Sequence, residues 1–495
     1  MEFRPTLDEV RSLAAEGTYG SIPVSCEILS DSITPLVVLR RLQFVSDQCF
    51  LLESAEAHGS RGRYSFLGYD PRLCISAKDG RVSVEAGGTT FARDGLPGDV
   101  IRAVLAESKA PRLDYLPPFA GGLVGYFSYD YLKYSEPTLV LDAHDDEDFA
   151  DLDLMMFDKV VAFDSYAQKA VLICDMPVPD DAVSLEAAYH HATDELASMR
   201  RLVLEGEQRA NVSGRITSPV RTLFDEGAYA EMVRRAQEFI KAGDIFQVVL
   251  SNRLDADFEG TLLDTYRLLR TINPSPYLIY LASSELEVAA SSPETLVRLQ
   301  DGEVFTFPLA GTRPRGATPE LDLALERDLL ADEKELAEHN MLVDLGRNDV
   351  GKISEFGSVR VEKHLAVERF SHVMHLGSTI SGHIRQGCDA IDAIDSILPA
   401  GTLSGAPKIR AAQIINELED NKRGIYGGTI GYIDLAGNLD MCIAIRLAYH
   451  KNGKVFVRSG AGIVADSVPG NEYRECVNKA RAVVAALESA QRGLD

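Results

Sequence analysis

The 495-residue chain is short of what nucleic-acid, membrane and disulfide-framework proteins need. Basic residues are the scarcer charge, 50 Lys and Arg against 75 Asp and Glu, giving a formal net charge of −25. A duplex-binding face must neutralise phosphates with clustered Lys and Arg, which argues against a nucleic-acid partner. The seven cysteines, Cys26, Cys49, Cys74, Cys174, Cys388, Cys442 and Cys476, are far apart and free of any CxxC pair, so neither a disulfide framework nor a thiolate zinc site is indicated. No segment approaches the apolar run needed to cross a bilayer. The N-terminal MEFRPTLDEVRSLAAEG lacks an apolar core of signal-peptide length. No sequence repeat or low-complexity tract interrupts the chain. The expectation is a soluble, cytoplasmic globular enzyme with no membrane and no nucleic-acid partner. Its acidity also repels small anions, so an anionic substrate would need arginines, backbone N–H groups or a divalent cation to overcome that field locally.

What is present falls into three stretches. Residues 20–202 alternate short apolar runs (LCISA, RVSVEA, VVAFD, KAVLICD) with Gly, Pro and Asp turns and read as mostly β, ending in a helix over about 181–207. The acidic DAHDDEDFADLD, 142–153, reads as a solvated surface excursion. A polar, Gly/Ser/Pro-containing stretch, 203–222, reads as a linker. From 223 to 490 helices and strands alternate as an α+β or α/β region. It begins with an amphipathic helix over 225–242, closed by Gly243 and followed by the strand IFQVVLSNRL.

Several constellations in the second region suggest chemistry. FPLAGTRPRG, 307–316, combines two glycines, two prolines and two arginines after a strand-like run, as if to set backbone and guanidinium groups against an anion. Two helical segments carry carboxylates three residues apart, Glu335 with Glu338 and Glu472 with Glu475, and Lys479 follows four residues later. Each pair alone is most simply a solvated face. Four such carboxylates facing one another would need a cation, and Mg²⁺ suits their oxygen ligands. Gly460 and Gly462 precede the second helix and allow close backbone approach to a ligand. SHVMHLGSTISG places His372 and His375 at an odd spacing on a strand, which points them to opposite faces and counts against a paired metal site. GTLSGAPK reads as a helix start capped by Ser404 with Pro407 in its first turn, or as a loop closing over a ligand.

PLAGTRPRG, AEHNMLVDLGRND, GTLSGAPK, YGGTIGY and SGAGIVADSVPGNEYRECVNKA, in this order, resemble the chorismate-utilising enzymes over nearly all of 224–488, and within them the anthranilate synthase large-subunit (component I) branch. The resemblance implies an α+β fold: a large sandwich of two antiparallel β-sheets flanked by helices, with the β-rich N-terminal region packed on it as a regulatory part. It implies chorismate, a dicarboxylate, as substrate. Mg²⁺ would be held by Glu338 and Glu475 with Glu335 and Glu472 in support, and would take the ring carboxylate. Arg446, at the end of the strand MCIAIR, would take the enolpyruvyl side with Tyr426 and the backbone of Gly460, Ala461 and Gly462. Gly311, Thr312 and Lys479 would complete the substrate pocket.

The resemblance also assigns chemistry. Glu294 would be the general acid for the departing ring hydroxyl, and His375 would belong to the later pyruvate elimination. Water-adding relatives carry a lysine base where this chain has Gln247, and a neutral amide cannot deprotonate water. Aminodeoxychorismate synthases typically carry a nucleophilic lysine where this chain has Ala310. The implied product is therefore anthranilate, formed through 2-amino-4-deoxyisochorismate. The alternatives are an aminodeoxychorismate synthase component I and a catalytically silent regulatory relative. No cysteine sits in a glycine-flanked nucleophile elbow, so ammonia is expected from glutamine through a separate amidotransferase subunit, component II. LLES and NPSPY resemble the walls of an L-tryptophan pocket for feedback inhibition, with Glu53 and Ser54 at the amino-acid end and Pro276, Tyr277 and Leu278 along the indole.

Overall fold

The alternating runs pair into two large antiparallel sheets. The computed structural model describes residues 2–55, 61–370 and 373–493, and among them the strands form one sheet of 13 and one of 12. Five strands of the first sheet, Ser21–Leu29, Lys169–Pro177, Lys159–Asp164, Tyr64–Tyr69 and Cys49–Glu53, come from the first region. The next, Tyr277–Ala282, comes from the second, with Leu278 opposite Glu53 and Ala282 opposite Cys49. The sheet then continues through Glu287–Ser292, Leu447–Lys451, Lys454–Ile463 and Gln247–Glu259.

The second sheet is assembled in the same way. Its strand Thr429–Asp434 pairs with Gly122–Phe127 from the first region, Thr429 opposite Phe127 and Asp434 opposite Gly122. N-terminal strands thus extend both sheets and do not form a layer packed on the outside. Alternate side chains meet between the sheets: Phe50 and Phe66 of the first pack with Val124, Tyr126 and Met155 of the second in one buried cluster. Helices cover the outer faces, Ala182–Glu205 and Leu263–Ile272 on the first sheet, Pro97–Glu107 and Ala390–Ile397 on the second.

The first region's long helix runs Ala182–Glu205, capped by Asp181, whose carboxylate accepts from the N–H groups of Val183 and Ser184. The next helix is Glu226–Ala242, with Asp225 as N-cap and Gly243 at φ 85°, where only glycine is unstrained. The polar stretch between them is anchored, because Arg215–Ile216 and Arg221–Thr222 pair with the strand Gln247–Glu259.

Two local expectations are corrected. The acidic stretch 142–153 is not a free excursion. Glu147 is buried against Arg253, Asp151 is buried beside Lys133 and Tyr134, and Asp145 and Asp148 both hold Lys78. Alternating acids resemble a solvated run in sequence because their cations lie far away in it. Ser404 does not cap the helix after it. Its hydroxyl donates to Ala400 O, Gly405–Ala406 pairs with Gln247–Glu259, and Pro407 is the N-cap of Lys408–Glu419.

Candidate active site

A cavity of about 970 Å³ opens beside the strands Gln247–Glu259 and Lys454–Ile463. It brings to one surface Glu294, His375, Gln247, Ala310, Gly311, Thr312, Tyr426, Arg446, Gly460, Gly462 and Lys479, together with Glu335, Glu338, Glu472 and Glu475. Ala461 is the exception. On an extended strand neighbours face opposite ways, and its methyl is buried in a core cluster with Tyr229 and Val248. His372 lies outside the described residues.

Glu294 is almost fully buried just before the strand Thr295–Gln300, with Ile443 N–H donating to its backbone carbonyl. Burial pushes its carboxyl up to about 8, against the smaller opposing effects of the Thr402 hydroxyl and the Lys479 charge. The group is therefore protonated at neutral pH, as a general acid must be. Thr402 Oγ1 donates to Glu294 Oε1 at 3.2 Å. The sequence reading missed this threonine although it stands inside GTLSG, because a hydroxyl in a glycine-rich turn carries no periodic signal.

His375 sits on the strand Val373–His383, as the β-branched pattern predicts. Its Nδ1 is 2.8 Å from Gly311 O and 3.1 Å from Thr312 Oγ1. Burial, with the nearby Arg446 charge, holds its pKa below the usual histidine value, opposed by the Gly311 hydrogen bond. The Phe370 ring meets the imidazole edge-on at 5.5 Å.

The two arginines of FPLAGTRPRG do not face the cavity's ligand space. Arg313 is paired with Asp328 and Asp332, and Arg315 with Asp322, so both tie the strand Leu309–Pro314 to the following helix Pro319–Ala331. Arg446 does line the cavity. Among the described residues no carboxylate pairs with it, and burial lowers its pKa. It lies between Leu439–Ile443 and Leu447–Lys451 and not at a strand end, with φ 53°, a left-handed conformation uncommon for a side-chain-bearing residue.

Gly460 and Gly462 make room for protein groups. A Cβ at Gly460 would stand 3.1 Å from Tyr426 Oη and 2.7 Å from Leu250 O, and one at Gly462 would stand 2.7 Å from Gln247 Nε2. Gln247 in turn donates to Glu338 Oε1 at 3.4 Å. Lys479 donates to Gly460 O at 3.1 Å and pairs with Glu475 at 2.8 Å.

The four carboxylates project from the helices Glu333–Gly351 and Pro469–Ala490. Burial raises the pKa values of Glu335 and Glu472, and the neighbouring Glu338 and Glu475 charges raise them further. No three His, Cys, Asp or Glu side chains converge as a ready-made metal cluster among the described residues. Mg²⁺ does not require one, since it keeps several waters and is held by one or two carboxylates with an anionic substrate. A wall of oxygen donors carrying mutual repulsion fits such an ion in donor type and charge.

The residues named for the effector are not gathered on one wall. Glu53 is buried against Tyr266 Oη at 2.6 Å and Arg270 Nε at 2.9 Å. Leu278 packs on the same helix-covered side, whereas Tyr277 turns to the inter-sheet side, where its hydroxyl donates to Asp440 Oδ1 at 2.6 Å. Pro276 is buried just before that strand, and Ser54 follows Glu53 at the end of its own.

A family model for chorismate binding enzymes matches residues 47–485. The chain belongs to this family. Its relatives include anthranilate synthase component 1 of Acetivibrio thermocellus, 44% identical over 99% of each chain, and that of Pseudomonas aeruginosa, 43% identical over the same shares. The crystal structure of anthranilate synthase component I from Streptococcus pneumoniae superposes with a TM-score of 0.74 at 35% identity, covering 92% of this chain and 98% of that one. The menaquinone-specific isochorismate synthase of Escherichia coli shares the fold, with a TM-score of 0.70 at 19% identity, covering 97% of this chain and 98% of that one.

Proposed function

We propose that the chain converts chorismate and ammonia to anthranilate and pyruvate as an anthranilate synthase component I. The observation that carries this reading is a protonated, buried Glu294 in a cavity that has Gln247 and Ala310 at the two positions where other chemistries of the family place lysine. Arg446, a partly buried guanidinium without a carboxylate partner among the described residues, supports an anionic substrate end, with Tyr426 Oη beside it. Glu294 gives its proton to the departing ring hydroxyl, which leaves as water, while the nitrogen of ammonia bonds two carbons away. The product of this step is 2-amino-4-deoxyisochorismate. Elimination of pyruvate then aromatises the ring, with neutral His375 assisting. Glu338 and Glu475, with Glu335 and Glu472, would hold Mg²⁺, whose charge would neutralise the ring carboxylate.

The finer features of the reading are a separate glutamine amidotransferase as ammonia source, feedback inhibition by L-tryptophan at the seam around Glu53 and Leu278, and a cytoplasmic location. No described helix is long and apolar enough to cross a membrane. Incubating the purified chain with chorismate, Mg²⁺ and excess ammonium at neutral pH tests the reading. Anthranilate fluorescence is expected. Formation of 4-amino-4-deoxychorismate would move the assignment to an aminodeoxychorismate synthase, and chorismate binding without turnover to a silent relative.

A further inference from the structure

Arg423 and Glu419 form an ion pair whose side chains are each 1% exposed. Neither lines the large cavity, yet three residues that do line it, Leu403, Val249 and Tyr426, meet this one guanidinium. Its Nη1 donates to Leu403 O at 2.6 Å and its Nη2 to Val249 O at 2.7 Å. The ring of Tyr426 is 5.9 Å from the guanidinium carbon, and that of Tyr129 is 4.6 Å away. Glu419 fixes the other edge, accepting from Arg423 Nε at 3.0 Å and Nη2 at 2.5 Å. The same carboxylate accepts Ser251 N–H at 2.7 Å and Ser251 Oγ at 3.0 Å. Leu403 directly follows Thr402, which hydrogen-bonds Glu294.

A buried ion pair adds little net stability, because desolvating two charges offsets most of their attraction. Its retention here needs another reason, and the geometry supplies one. Only a planar fork can hold carbonyls from two separate segments while its other edge is clamped by a carboxylate. We propose that the Arg423–Glu419 pair is the positioning device of the candidate active site, holding the turn 401–404 so that the Thr402 hydroxyl stays on Glu294. Arg423 and Glu419 are positioning residues that touch no substrate. The inference rests on the anthranilate-forming reading, in which Glu294 is the acid.

The test is the pH profile of kcat for anthranilate formation in wild type, Thr402→Val, Thr402→Ser, Arg423→Lys and Thr402→Val/Arg423→Lys. The Thr402 hydroxyl donates to the ionised form of Glu294, and the other charged group facing that acid is Lys479. Losing the donor moves the alkaline limb up by roughly one pH unit, about tenfold in the ionisation constant. Thr402→Ser keeps the donor and holds the wild-type limb. Arg423→Lys, unable to bridge both carbonyls, shifts the limb as Thr402→Val does, and the double variant shifts it no further.

A limb left at its wild-type position in Arg423→Lys, with only kcat lowered, would mean a purely structural pair and overturns the proposal. Additive shifts in the double variant overturn it equally. Should Arg423→Lys not fold, Arg423→Met alone leaves Glu419 facing the buried Arg458 at 3.7 Å and Ser251, so that its charge is not left unpaired, and the same limb decides. Absence of anthranilate from the wild-type chain would instead sink the functional reading, so the two failures are distinguishable.

Discussion

Nδ1 of His375 lies 2.8 Å from the carbonyl oxygen of Gly311, and a carbonyl can only accept, so the proton of the neutral imidazole is on Nδ1 and the basic nitrogen is Nε2. With the pKa held low by burial, that lone pair is present at neutral pH. His375→Ala should therefore leave amination working and slow the elimination, so that 2-amino-4-deoxyisochorismate accumulates in quenched reactions separated by chromatography. Anthranilate at the wild-type rate would remove His375 from the mechanism.

Glu294→Gln should lower kcat by about 10²- to 10⁴-fold, the usual contribution of a positioned general acid. In the wild type, activity should fall as the pH rises through about 8, where the acid ionises. Stability gives an independent check. With its pKa raised from 4.5 to about 8, Glu294 binds more protons in the folded than in the unfolded state across that window, so its contribution to stability falls as the pH rises. Glu294→Gln should then be more stable than wild type at pH 9, by a margin of the order of a few kcal/mol seen as a higher unfolding temperature, and show little difference at pH 4. The reverse ordering would mean that the carboxyl is ionised in the native protein at neutral pH.

Glu338→Gln and Glu475→Gln each remove one charge from the carboxylate wall. Both should fold, and both should need much higher Mg²⁺ for half-maximal turnover. Superimposable Mg²⁺ titrations for the variants and wild type would place the ion elsewhere.

Glu147→Ala should cost about 1–3 kcal/mol in urea unfolding, since the buried Arg253 guanidinium loses its shortest carboxylate contact and keeps Asp255 at 3.4 Å. A solvated acidic loop would give a change near zero.

For the effector, Ser54→Phe should relieve inhibition by millimolar L-tryptophan with little change in uninhibited turnover. Full sensitivity in the variant, or indifference in wild type, would remove this site while leaving the catalytic one standing.

What was legible in the sequence tracks how local each signal is. The helix Glu226–Ala242 could be placed to within a residue because its cap, period and terminal glycine all lie inside it. The cavity wall could be assembled because its motifs are long and resemble a known family. Partners distant in sequence were invisible: the carboxylates that occupy Arg313 and Arg315, the Arg253 that draws Glu147 inward, and the turn that sets Thr402 on Glu294. Strand alternation, legible in principle, separates Ala461 from its neighbours and Tyr277 from Leu278, but motif resemblance treats consecutive residues as one wall.

The joins of Cys49–Glu53 to Tyr277–Ala282 and of Thr429–Asp434 to Gly122–Phe127 run through the middle of their sheets. Separating the chain near residue 222 would strip hydrogen-bond partners from both sides of each join and leave four long apolar edges, which are templates for aggregation. Neither half is then a portable module. Fragments expressed apart should be insoluble unless they meet during folding, and a chimera with a relative would need its crossovers matched at both joins. A ligand wedged at the first join would bear on strands that reach the catalytic wall through continuous backbone pairing, without any hinge between separate bodies.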